Sequence, residues 1–266
     1  MRELERSPTD TPSRADAQLS LAVIGAGRVG RSIARAASDA GLSASLSGRR
    51  DALAACEQAQ AALLCVPDDS IADACETASA AVPPLRFVGH TSGATGLDAL
   101  AAATRRGARA FSIHPLQTIP DGGPHLAGAA CAVSGSDPAA TRYATALATE
   151  LGMRPFPLPE RYRAAYHAAA SIACNYLVAL EESAVELLER TGVEDARELL
   201  APLVLRTAAN WAERGGEALT GPIARGDEET VSRHLDAIQE LAPELRRAYE
   251  ALAERTREIA ARGVVA

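Results

Sequence analysis

The sequence predicts an α/β chain, a parallel sheet with helices on both faces, followed by an all-α C-terminal domain. Three observations carry that expectation. Between residues 19 and 134, short apolar runs alternate with helical stretches, the pattern of a sheet covered on both sides. The first apolar run ends in a glycine cluster that opens a helix. Past residue 160 the strand signals stop, and apolar residues recur at helical spacing.

Residues 1–18 are polar and read as a disordered leader without the apolar region of a secretion signal. Leu19–Ile24 is the first strand and Val29–Ala40 the first helix. Ser43–Ser47 follows as a strand and Ala52–Gln60 as a helix. Ala61–Val66 is a third apolar run, stopped by Pro67, which cannot donate to a ladder. Ile71–Ala80 is helical, with Asp68 or Asp69 placed to cap it. Leu85–Val88 and Ala108–Ile113 are strands flanking a helix at Leu97–Arg106, and Cys131–Ser134 is a sixth strand. Pro155, Pro157 and Pro159 read as a linker, so the expected domains are 19–157 and 158–266. Arg161–Arg190 forms one long helix ended by Gly192. Val193–Arg214 adds helix interrupted near Pro202, Gly215–Gly226 is a loop, and the remainder is helical with an apolar stripe at Leu241, Leu245, Ala248, Leu252 and Ile259.

Composition narrows the function classes. The chain has 266 residues and a net charge of −7, which argues against a nucleic-acid partner, since those usually meet a basic face. No run of eighteen apolar residues occurs, so no membrane span is expected, and a cytoplasmic protein is the default. Five cysteines without a C-x-x-C pair predict buried thiols, with no disulfide framework and no metal site. All 27 cationic side chains are Arg; there is no lysine, which excludes a lysine Schiff base or lysine acid.

Gly25-Ala26-Gly27-Arg28-Val29-Gly30 is a G-x-G-x-x-G run placed between a strand and a helix. In that context the first glycine permits the turn, the second admits a pyrophosphate and the third lets helix and strand pack closely. The helix N-terminus supplies free N–H groups and partial positive charge. This is the dinucleotide-binding signal of a Rossmann-type sheet, with Arg28 and Val29 inside the loop. At the end of the second strand, where NAD sites carry an acid for the ribose hydroxyl, stand Ser47-Gly48-Arg49-Arg50. Ser47, Arg49 and Arg50 favour a 2′-phosphate, so NADP(H) is expected over NAD(H), though Asp51 follows directly. Val66-Pro67 turns the loop after the third strand across the cofactor.

Two polar clusters follow predicted strands: His90-Thr91-Ser92-Gly93 and His114-Pro115-Leu116-Gln117. Hydride transfer to a carbonyl needs a proton donor, and histidine titrates near neutrality. His114 is the candidate acid, Ser92 the hydroxyl that orients it or the substrate, and His90 and Thr91 are candidate substrate contacts. Ser92 equally suits a turn and His114 a strand end. His167, Ser171 and Asn175 recur every four residues along the long helix, as a substrate-binding line or as a helix–helix network. Arg225 can clamp a carboxylate or tie two helices, and Asp227 suits the start of the next helix.

Taken in order, Gly25–Gly30, Val66-Pro67-Asp68, His90–Gly93, His114–Gln117, Tyr166–Asn175 and Thr220–Asp227 resemble a bacterial family with a Rossmann-like N-terminal domain and a helical C-terminal domain of unknown function. That family is similar to the 6-phosphogluconate-dehydrogenase-like proteins, which include ketopantoate reductase, pyrroline-5-carboxylate reductase and prephenate dehydrogenase. The resemblance implies an NADPH-dependent reductase of a small 2-oxo acid, with 2-dehydropantoate as candidate. It also allows a pyrroline-carboxylate-type imine reductase, a prephenate-dehydrogenase-like enzyme or a non-catalytic dinucleotide binder. Ser92 and His114-Pro115 match the order seen in prephenate dehydrogenases. β-Hydroxyacid dehydrogenases carry Lys and Asn four residues apart on the interdomain helix; here Asn175 matches and Ser171 stands in the Lys position. His114 or His167 would then supply the proton. The resemblance further implies a homodimer through the helical domain.

Overall fold

The computed structural model describes residues 19–263, so the expected leader over 1–18 lies outside the described residues. The chain divides into two compact units at Ser171/Ile172. Among the described residues the first unit holds seven strands in one sheet: β1 Leu21–Ile24, β2 Ala44–Ser47, β3 Ala61–Leu64, β4 Phe87–His90, β5 Arg109–Leu116, β6 Ala130–Gly135 and β7 Arg154–Pro157. Its helices are α1 Arg28–Asp39, α2 Ala52–Glu57, α3 Ile71–Ser79, α4 Ala101–Arg105, α5 Pro138–Glu150 and α6 Arg163–Ser171.

The strand order is β2-β1-β3-β4-β5-β6-β7. Successive residues of β1 serve opposite faces, as a pleated strand requires. Leu21 and Val23 join Leu63, Phe111 and Ile113 beneath α1 and α5. Ala22 and Ile24 join Leu64 and Val88 beneath α2, α3 and α4. The order reverses direction between β1 and β3, and a doubly wound sheet opens its ligand crevice at such a point, beyond the strand C-termini.

Two departures from the sequence reading shape this edge. Strands β1 to β5 are parallel, whereas β6 runs antiparallel to β5 and β7 follows the direction of β6. The connection from Gln117 to Ala129 contains no helix to carry the chain back across the sheet, so it simply reverses. Freed from the β4 boundary, β5 extends to Leu116, and His114 and Pro115 lie inside the strand rather than after it. Ala110 bonds toward β6 through Ser136, which turns the odd-numbered residues toward β4. Pro115 therefore faces a side where β4 has already ended opposite Ser112, and its missing N–H leaves no partner unserved.

The expected linker is instead β7, a strand paired to β6 alone. Pro155 and Pro157 are tolerated there because an edge strand has one side without a ladder. The first compact unit runs through α6 to Ser171.

The second unit is helical: a π-helical turn Ile172–Tyr176, then α7 Leu177–Glu189, α8 Ala196–Arg214, α9 Pro222–Arg225, α10 Glu228–Leu241 and α11 Arg246–Gly263. Pro202 does not interrupt α8; it forgoes one intrahelical bond in an otherwise continuous helix. The Asp227 side chain caps α10, accepting from the Thr230 N–H at 3.1 Å. The expected stripe is broken at Pro243, and Ala242 and Ala253 are buried while Leu252 is exposed. Ile172, Tyr176, Leu177, Val178, Leu199, Leu203, Leu205 and Trp211 are all exposed. Among the described residues no helix is long and apolar enough to cross a membrane. All five cysteines are free thiols, four of them buried and Cys174 half-exposed.

Candidate active site

The glycine loop forms as its spacing predicts. Gly25 takes φ +115°, a left-handed region that glycine alone occupies readily, and a Cβ there would strike the Cys65 carbonyl. A Cβ on Gly30 would collide with the Gly25 carbonyl oxygen, so α1 can meet β1 this closely only through glycine. Gly27, by contrast, faces open space. Helix α1 starts at Arg28 with no side-chain cap and no acidic residue in its first turn. Its leading N–H groups are thus left for an anion. Val29 is half-buried behind the exposed Gly27 and Arg28.

Beside this loop lies a cleft of about 440 Å³, lined by Ile24, Gly25, Gly48, Arg49, Val66 and Pro67, with Ala74 and Thr77 from α3. Asp73 and Glu76 also line it. Of the three residues expected at the end of β2, Arg49 reaches the cleft; Ser47 and Arg50 are adjacent in sequence but do not line it. Neither Asp68 nor Asp69 caps α3; Asp69 accepts from the Ser70 hydroxyl at 3.0 Å.

The open space at Gly27, the uncapped helix start and the adjoining cleft fit the pyrophosphate and adenosine of a dinucleotide. Gly25, Gly27, Arg28, Val29 and Gly30 would hold the former, and Arg49, Val66 and Pro67 the latter.

A second cluster gathers farther along the edge. His114 Nδ1 lies 2.6 Å from the Tyr166 hydroxyl. Its ring stands edge-on to Tyr166, and its centroid is 6.1 Å from that of His167. Gly93 packs directly on the pair: a Cβ there would lie 2.7 Å from His114 Nε2 and 2.8 Å from His167 Cδ2. Burial, then the neighbouring His167 and Arg163, push His114 down to about 4. Burial pushes the Tyr166 hydroxyl up to about 12. Near neutrality both groups are therefore uncharged, and the phenol O–H can donate to an imidazole nitrogen.

Arg163 holds this cluster together. It is only 3% exposed. Its guanidinium donates to the Ser112 hydroxyl at 2.6 Å, the Ser134 hydroxyl at 3.0 Å, the Ser92 carbonyl at 3.2 Å and Glu160 at 2.5 Å. One side chain thus joins β5, β6, the loop after β4 and the start of α6. Glu160 also accepts from the Leu97 N–H at 3.1 Å. Burial pushes the Glu160 carboxyl up, but the bonds and charge of Arg163 outweigh that and hold it below its usual range.

Several expected roles change. Ser92 does not touch His114; its Oγ accepts from the Ala94 and Thr95 N–H groups at 3.1 and 2.9 Å and closes a turn. His90 is not a substrate contact, being the 0%-exposed last residue of β4, where Nδ1 accepts from the Ser92 N–H at 3.2 Å. Burial, then Arg163, push His90 down to about 4, so it sits neutral in the core. Thr91 meets the buried Cys65 thiol. His167 is half-buried and Ser171 ends α6. Asn175, in the other unit, lies exposed within the π-helical turn, and Arg225 is exposed at the end of α9. Sequence reasoning missed Tyr166, Arg163 and Glu160 as site residues. The signal available was charge and phenol placed among alanines at the start of the long helix.

A model of a Rossmann-like domain matches residues 49–115, and one described as a domain of unknown function (DUF2520) matches residues 129–256. No curated protein sequence matches the chain. Among solved structures, a candidate NADP oxidoreductase from Bacteroides fragilis is similar with a TM-score of 0.73 and 20% identity, covering 91% of this chain and 99% of its own. A protein from Thermotoga maritima gives 0.71 at 20% identity, with the same coverage of 91% and 99%. A reductive aminase from Aspergillus terreus, in complex with NADPH and ethyl-5-oxohexanoate, gives 0.66 at 18% identity over 92% and 98%. These likenesses are likenesses of fold. The chain is therefore similar to a Rossmann-like domain over residues 49–115 and to the domain of unknown function DUF2520 over residues 129–256.

Proposed function

We propose that this protein is an NADPH-dependent oxidoreductase that reduces a small carbonyl compound, a 2-oxo acid such as 2-dehydropantoate being the first candidate. The observation that carries the reading is the placement of two unlike devices on one sheet edge. The glycine loop after β1 is built for a pyrophosphate, with the adenosine-sized cleft on its β2 side. The other half of a bound dinucleotide would reach toward β4 and β5, where Gly93 follows a strand two spacings from β1 and His114 stands three spacings away, about 14 Å.

The bound cofactor would supply a hydride to the substrate carbon. The chain's own part is to hold that substrate against His114 and to give its oxygen a hydrogen-bond donor as charge develops. With lysine absent, the neutral imidazole is the donor available in this cluster. Arg49 at the cleft rim supports selection of the 2′-phosphate of NADP(H).

An imine is the second reading. It is favoured by the neutrality of His114, because an iminium already carries the proton that a ketone must acquire. Similar structures include the reductive aminase and a pyrroline carboxylate reductase from Plasmodium falciparum with NADP bound. The exposed apolar side chains of α7 and α8 further support a homodimer through the helical unit.

The test is NADPH binding by nucleotide fluorescence, then NADPH oxidation with a panel of 2-oxo acids and cyclic imines. His114→Ala is expected to keep NADPH affinity and lose turnover. Failure to bind either nicotinamide dinucleotide would overturn the proposal, and binding without turnover on any panel member would leave a non-catalytic binder. Light scattering of the eluting protein reads the oligomer.

A further inference from the structure

We propose that Tyr166 is a positioning residue that relays a proton to the substrate through His114. This rests on the reductase reading and names the source of the proton that reading requires.

The Tyr166 hydroxyl and His114 Nδ1 are 2.6 Å apart, with ring planes near perpendicular at 88°. A phenol donating to Nδ1 fixes the remaining imidazole proton on Nε2. The Cε1–Nε2 edge of that ring lies against Gly93, where a side chain would take its place. Tyr166 also packs against Phe156 of β7, ring centroids 6.0 Å apart. The phenol thus cannot follow the imidazole away without leaving its packing.

Protonation gives the direction. His114 is neutral near pH 7, so it holds no spare proton as an imidazolium. It can still donate Nε2–H if Nδ1 receives a proton as that bond breaks. Tyr166 is the group in hydrogen-bond contact with Nδ1.

The step balances. A reduced nicotinamide dinucleotide gives its hydride, with both electrons, to the carbonyl carbon, and the C=O π pair moves to oxygen. That oxygen forms an O–H bond as the Nε2–H bond breaks. The Tyr166 O–H bond breaks as an Nδ1–H bond forms. The products are the alcohol, a neutral imidazole in the opposite tautomer, and a tyrosinate that regains its proton from water. Net, one proton passes from phenol to substrate, and the imidazole never carries charge.

The test uses full-length protein with nitrogen-15 in its histidines. In the wild type at pH 7, His114 is expected to show Nδ1 as the acceptor nitrogen and Nε2 as the protonated one. Tyr166→Phe is expected to abolish that preference while NADPH affinity stays within twofold. On a working substrate, the same variant should lower kcat at least tenfold with the cofactor KM unchanged, and reduce the solvent isotope effect on kcat. A wild-type His114 protonated on Nδ1, or a Phe variant with kcat within twofold, would overturn the relay. If Tyr166→Phe fails to fold, a fluorinated tyrosine at 166 keeps ring and hydroxyl but shifts acidity; kcat that ignores it counts against the proposal. If no substrate turns over, the nitrogen spectra still decide the relay's resting geometry, separately from the reductase reading.

Discussion

The two ends of the sheet edge are made of different materials. Around β1 the surfaces are backbone: three glycines, a bare helix start and a loop turned by Pro67. Around β5 they are side chains delivered from β5, α6 and the loop after β4, knotted by Arg163. The first end depends on what residues lack, the second on how distant ones meet. The first should thus respond to added bulk and the second to lost partners.

The largest effect is expected at the knot. Arg163→Met leaves the buried Ser112 and Ser134 hydroxyls without their common partner, at about 1–3 kcal/mol for each unmet group, while the exposed Glu160 carboxylate turns to water. The urea midpoint should fall accordingly, and an unchanged midpoint would mean the guanidinium is not an anchor.

Next come the glycines, which discriminate bulk at a packed contact from bulk in open space. Gly30→Ala forces α1 off β1, costing about 1–3 kcal/mol. Gly27→Ala should leave the urea midpoint unchanged and weaken NADPH binding alone. If both variants lose stability equally, the open space at Gly27 is misassigned.

Acid separates the ends as well. His90 has its folded value depressed to about 4 from an ordinary 6.5. Below 6.5 the unfolded chain therefore binds a proton that the folded chain refuses. His90 contributes stability that is fully present above 6.5 and lost as pH falls toward 4, about 3 kcal/mol in all. His114 adds a loss of the same sign in the same window. Urea midpoints measured from pH 7 to 4 should decline across it, and His90→Asn should flatten the decline.

The smallest effect is at the cleft rim. Arg49→Glu should lower NADPH affinity about tenfold, worth about 1.4 kcal/mol, and NADH affinity much less. Equal losses for both would remove Arg49 from phosphate selection.

The same contrast explains how much was legible in the sequence. Gly25, Gly27 and Gly30 announce themselves because a backbone turn is encoded by neighbours within six residues. Alternating apolar runs gave β1 to β6 for the same reason. β7 was hidden because Pro155 and Pro157 signal a linker unless the strand is known to be an edge. His114 was found as a candidate, but its partner was misread as Ser92, which lies near in sequence order. Tyr166 is 52 positions away, and only the pairing of β5 with β6 and the Arg163 knot bring α6 to it. A hydrogen bond across that separation leaves no periodic trace. His90 misled for the opposite reason: a histidine at a strand end reads as reachable, whereas the registers beside it bury it.

The bare start of α1 carries one more consequence. Among the described residues no side chain caps those leading amide hydrogens, so an arriving phosphate has none of these side chains to displace. Such a guest binds the native chain and finds nothing comparable in the melted one. At a hundredfold excess over its dissociation constant it would raise resistance to heat by about 2.7 kcal/mol. A melting screen across nucleotides would then rank candidate cofactors before any reaction is known.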